Sequence, residues 1–177
     1  MADIDVAAVY LELYGRIPPL CRLATEGLDP DALARRVAPG TNPVGWLVWH
    51  LTRVQDDHVS EVVETGQLYV DEGWSMRFGR DPDPNDVGFG ATPDEVAAFD
   101  PVSALILLEY LDAVHARSME FLAGLTAADL DRIVDRRWDP PVTLGVRLVS
   151  VADDALQHAG QALYVRGIID AAWRFPA

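Results

Sequence analysis

Apolar residues recur at helical spacing through four long stretches of the chain, roughly 4–27, 42–65, 101–124 and 145–170. In the first, Leu13, Ile17, Leu20 and Ala24 keep that spacing across Pro18-Pro19. That pair must kink or split the helix, because neither proline nitrogen carries a hydrogen. Further starts are marked by a capping side chain followed by proline: Asp29-Pro30, Asn42-Pro43, Thr92-Pro93 and Asp100-Pro101. Thr92 and Glu95 have the spacing of a capping box. Short helices are predicted at 30–37, 93–98 and 127–134, with Gly40, Gly66 and Gly124 as stops. Strand alternation is confined to Gln67-Leu68-Tyr69-Val70. The pattern predicts an all-α fold, a four-helix bundle in a single domain over 1–177. A long loop from Gln67 to Thr92, between helices two and three, carries Trp74, Phe78 and Phe89. Its aromatics predict an ordered strap across an apolar surface; the alternative is a loop that merely closes one end of the bundle.

Composition narrows the classes. The chain sets 28 acidic residues against 14 basic ones, for a formal charge of −14, and every basic residue is arginine. The lysine-free bias reads as codon pressure in a GC-rich bacterial genome. The densest basic clusters are the pairs Arg35-Arg36 and Arg136-Arg137. Counterion release on nucleic acid needs more than that, and the excess charge also repels anionic membranes. No apolar run reaches about 18 residues. The start Met1-Ala2-Asp3-Ile4-Asp5 lacks a basic lead, so the expected compartment is the cytoplasm. The lone Cys21 excludes an intrachain disulfide and any CxxC motif; beside the proline pair, it is expected to be buried and inert. Neither GxSxG, Walker A, HExxH nor GxGxxG occurs.

Polar groups interrupt the apolar stripes at a few places. Asp154 and His158, four apart on helix four, share a face with Arg147, Val151, Ala155, Ala162, Val165 and Ile169. A carboxylate there needs compensation from a metal ion, a protonated histidine or an arginine. A plain Asp154–His158 ion pair is the simplest reading. Asp153 points away and is solvated. On helix two, His50 sits at the border of the apolar side, whereas His58 lies nearer its middle, with Leu47, Leu51 and Val62. Periodicity does not choose between them and makes His58 the more buried. His115, on an apolar face of helix three, reads as a hydrogen-bonded core histidine, with a fourth ligand, an orienting partner or a general base as alternatives.

Gly45-Trp46-Leu47-Val48-Trp49-His50-Leu51 and Asp154-Ala155-Leu156-Gln157-His158-Ala159-Gly160-Gln161 together resemble the DinB-like superfamily. Its members include four-helix bundles related to mycothiol-dependent maleylpyruvate isomerases and bacillithiol transferases. The resemblance implies a divalent metal held by one histidine of helix two and two residues four apart on helix four. Carried over by motif, these are His50, Asp154 and His158. The commonest pattern has histidine where Asp154 stands, and the isomerase branch has glutamate. Two imidazoles and a carboxylate still make a three-ligand site with open positions. Zinc, nickel, manganese and iron all remain compatible.

What the resemblance implies is a metal-dependent transferase or isomerase-like enzyme using a low-molecular-weight thiol such as mycothiol. Residues 67–92 would help form the electrophile pocket. The alternative is a non-catalytic, metal-free bundle that binds a small ligand or acts through its interactions. Homodimers are expected from the resemblance, and the apolar density on both sides of Trp46–Leu51 suits a helix face buried against a second copy. A metal site keeps both histidines neutral; an ion pair needs His158 charged.

Overall fold

The computed structural model describes residues 5–175; the acidic Met1–Ile4, with the start of the first expected helix, lies outside them. The fold is mostly helical. Helix α1 spans Val6–Gly15 and α2 Ile17–Thr25, so the proline pair splits the first rod at Arg16. The short α3 (Pro30–Leu33) starts from Asp29, whose side chain accepts from Ala32 N–H. Then come α4 (Val44–Val63), α5 (Leu68–Asp71), α6 (Trp74–Arg77), α7 (Pro93–Ala97) and α8 (Ala104–Ala123). A 3₁₀ turn at Ala127–Asp131 leads into a hairpin of β1 (Ile133–Asp135) and β2 (Val142–Thr143), and α9 (Leu144–Ile169) closes the chain. Among the described residues, no helix is long and apolar enough to cross a membrane.

Several boundaries differ from expectation for local reasons. Asp100-Pro101 does not open α8. Val102 turns through φ 59° while its N–H is held by Asp100, and Ser103 becomes the cap by accepting from Ile106 N–H. Pro43 caps α4 and does not begin it. Helix α4 ends at Glu64 in the left-handed region, two residues before Gly66. At Gly66 the exposed Asp71 carboxylate occupies the space a Cβ would take, 1.8 Å from Oδ2. Residues 68–70 are helical, and the strands lie instead at 133–143, where extended pairing was not expected.

The rods pack in a ring: α4 against α9 and α8, and α1 with α2 against those same two helices. The inner stripe of α9 is small, with Ala152, Ala155, Ala159 and Ala162 all buried, so the neighbouring helices can approach closely. Leu47, Leu51, Leu107, Leu111 and Leu148 fill the core. Tyr14 OH donates to Leu148 O at 2.9 Å and ties α1 to the start of α9.

Every residue from Val44 to Arg53 is buried. The second apolar side of α4 is covered within the chain: Pro101 lies over Gly45, and Gly88 sits against Trp46, Trp49 and His50. Trp49 packs 4.9 Å from Phe99 and edge-on to Tyr69. The strap is pinned by the fully buried pair Arg53–Asp56. Arg53 donates to Asp86 O, Pro84 O and Gln67 Oε1, and its guanidinium lies 4.0 Å from the centre of the Tyr69 ring. Asp56 accepts from the N–H groups of Leu68 and Tyr69 and from Tyr110 OH. All the ionic oxygens and most of the guanidinium are thereby satisfied, the condition under which a buried pair is tolerated.

Asp56→Ala leaves Arg53 charged and unpaired in the interior. It should lower unfolding free energy in urea by about 3–5 kcal/mol. Glu12→Ala, which breaks the exposed Glu12–Arg16 pair, should cost less than about 1 kcal/mol.

Candidate metal centre

One side of the α4–α9 seam is not filled. A cavity of about 710 Å³ opens there, walled by His50, Val54 and His58 of α4 and by Arg147, Val151 and Asp154 of α9. Val87 and Phe89 of the strap, and Asp135, Trp138 and Val142 of the hairpin, complete it. The aromatic strap segment thus does help form a pocket. The hairpin contribution had no counterpart in the helical pattern.

At the inner end, His50, Asp154 and His158 converge. Each offers one ligand atom, and the three atoms lie within 4.8 Å of one another. The two helices hold their donors differently. His50 is buried, stacked on Trp46 with ring centres 4.6 Å apart, and its Nδ1 meets Val87 O at 2.5 Å. A carbonyl only accepts, so Nδ1 carries the hydrogen and Nε2 is left as the free donor atom. His158 meets Gln161 Oε1 through Nδ1 at 2.8 Å, one turn on along α9, which again leaves Nε2. Its Nε2 lies 3.5 Å from Asp154 Oδ1. The other oxygen, Asp154 Oδ2, is buried with no hydrogen-bond partner among the described residues. An unmatched carboxylate oxygen carries a desolvation cost of roughly 1–3 kcal/mol or more. A cation would offset it. Two free imidazole nitrogens and one orphaned carboxylate oxygen are a donor set that fits a divalent metal, each histidine being oriented through its second nitrogen.

The electrostatics separate the two histidines. Burial pushes His50 below the ordinary histidine pKa, opposed by its bond to Val87, so it is neutral at pH 7. The hydrogen bond to Asp154 raises His158.

His58 is not the core residue that periodicity suggests. A third of its side chain is open, at the far end of the cavity, and its Nδ1 faces Arg147 Nη1 at 2.7 Å. Burial and the adjacent Arg147 guanidinium lower its pKa. Arg147, two turns from Asp154, spends its charge on Glu61 and Asp135 and does not compensate Asp154. Arg137 holds the Asp135 carboxyl well below the usual carboxylate range. His115 does not line this cavity; its Nδ1 is buried without a partner among the described residues, so the expected core hydrogen bond is not made there. Asp153 is solvated as expected and accepts from Gln157.

Helical periodicity assigns no site role to Val87, Gly88 or Gln161, although Gln161 lies in the motif that carries the resemblance. Gly88 carried the available signal. It has φ +79°, and a Cβ there would come within 3.0 Å of His50 Nδ1, Trp46 and Trp49. Only glycine lets the strap approach closely enough for the carbonyl before it to reach His50.

The family model of the DinB superfamily matches residues 19–162. A crystal structure of a conserved protein from Enterococcus faecalis is similar throughout, with a TM-score of 0.86 and 29% identity over 94% of this chain and 98% of that one. No curated protein matches the sequence.

Cys21 is fully buried on α2, and burial pushes its thiol up to about 12, so it is no nucleophile. Iodoacetamide at pH 8 should label it at least about a hundredfold more slowly in the folded protein than in the urea-unfolded chain. Mass spectrometry of the alkylated protein reads the difference.

Proposed function

This chain belongs to the DinB superfamily, and from that membership we propose a divalent-metal-dependent thiol S-transferase or isomerase-like enzyme in which His50, Asp154 and His158 hold the ion. The observation that carries the reading is the orphaned Asp154 Oδ2 beside two imidazoles whose outer nitrogens are already occupied. The packed rods α1/α2, α4, α8 and α9 are read as the family's four-helix bundle. The donor set is compatible with zinc, nickel, manganese or iron.

Bound there, the ion supplies Lewis acidity that lowers the pKa of a coordinated thiol or water. The rest is the work of the chain's own side chains. Val87 O fixes the His50 ring in the tautomer that presents Nε2, and Trp46 shields its face from water. Gln161 does the same for His158 from within α9. Val54, Val87 and Val151 give the neighbouring wall an apolar surface on which a small thiol such as mycothiol, or its electrophilic partner, can lie. Cys21, sealed in the core, leaves the thiol to be brought in by the substrate.

A second reading keeps the bundle metal-free, as a binding or interaction protein with Asp154 and His158 as an ion pair. The 3.5 Å approach of His158 Nε2 to Asp154 and the raised His158 pKa favour it.

Elemental mass spectrometry on tag-free protein separates the two. The metal reading expects close to one ion per chain, lost in both His50→Ala and His158→Ala. With mycothiol and monobromobimane as test substrates, conjugation above the background rate should fall by about a hundredfold or more in each variant. No metal after incubation with zinc, nickel, manganese or ferrous iron would overturn it and leave the ion-pair reading.

A further inference from the structure

The cavity has a second polar end. His50 and His58 are two turns apart on α4, roughly 12 Å of helix axis, and Asp154 and Arg147 are paired with them from α9. Between the ends the wall is apolar: Val54, Val87 and Val151. At the far end, Arg147 only donates, so the 2.7 Å contact makes His58 Nδ1 an acceptor and puts the ring hydrogen on Nε2. Nε2 has no partner among the described residues, and it is not sealed from solvent. It is a fixed N–H donor on a side chain that lines the cavity. Beside it, Asp57 uses Oδ1 to accept from Gln67 Nε2, and its Oδ2, 3.7 Å from His58 Nδ1, has no hydrogen-bond partner among the described residues.

Charge decides what this end can take. Asp57, Glu61 and Asp135 surround it, against Arg137 and Arg147. Arg147 is committed to His58, Glu61 and Asp135, and Arg137 to Asp135. An anionic group would meet three carboxylates against two guanidiniums, both of them already bonded to Asp135. A group that both accepts and donates would meet a donor and an acceptor side by side.

We propose that this end is a second binding pole. There His58 Nε2–H and the Asp57 carboxylate hold the uncharged amide or hydroxyl end of a ligand whose other end lies at the His50–Asp154–His158 cluster. The proposal rests on reading the cavity as the ligand site, and it adds that the substrate is extended, apolar in its middle and not a carboxylate at its far end.

The test uses the metal-free full chain, labelled with ¹⁵N and ¹³C, so a failure of metal binding leaves the test standing. Long-range ¹H–¹⁵N spectra at pH 7 should show His58 as the Nε2–H tautomer. Hexanamide should shift the His58 ring and the methyl signals of Val54 and Val151, with a dissociation constant at least about fivefold below that of hexanoate. His58→Phe, which keeps the ring volume, should abolish that difference as read at the valine methyls. Hexanoate binding as tightly as hexanamide, neither compound binding, or His58 as imidazolium or the Nδ1–H tautomer overturns the proposal. If His58→Phe fails to fold, the parent's comparison of amide with carboxylate decides alone.

Discussion

The pairing of Arg53 with Asp56 in the interior is the constraint on which the rest depends. Neither charge has access to water, so each must be met by protein groups. The groups that meet them belong to the strap: the N–H groups of Leu68 and Tyr69 on one side, and the carbonyls of Pro84 and Asp86 on the other. Arg80 adds a two-pronged bond to the Asp86 carboxylate. A connection with little regular structure is thereby fixed against α4 by electrostatics as well as by its aromatics. The next carbonyl along, that of Val87, then falls on His50. The orientation of a ligand-type histidine follows from an ion pair one helical turn away.

Much of this was legible in the sequence where a single helix carries the information. Asp154 and His158 meet because four residues make about one turn, and both long rods α8 and α9 lie within a few residues of their apolar periodicity. The choice of His50 over His58 was not legible from periodicity. A helical wheel assumes one buried side, and α4 has two, the second covered by a strap whose path depends on Arg53. By the wheel, His58 belonged inside; in the fold the strap lies over His50, and His58 is left at the cavity rim.

Other misreadings share a cause: the signal was too short or was used for something else. Asp100-Pro101 has the residues of a helix start but spends them on a turn through Val102. The hairpin pairs only a few residues, too few for an alternation to stand out, yet it supplies Asp135 and Trp138 to the cavity. Gly88-Phe89-Gly90 turns through positive φ at both glycines. Its first glycine is there because His50 and two tryptophans leave no room for a Cβ.

The two ends of the cavity are made from different material. The inner cluster sits on α4 and α9, whose spacing is set by an alanine stripe and a filled core. The outer rim includes a two-stranded hairpin and a strap tip, with Trp138 and Phe89 largely in solvent. Rim side chains can therefore be exchanged over evolutionary time without repacking the rods. A lineage built on this scaffold is free to change what it accepts while keeping the same inner donors, and relatives alike in their helices can diverge in diet at the hairpin alone.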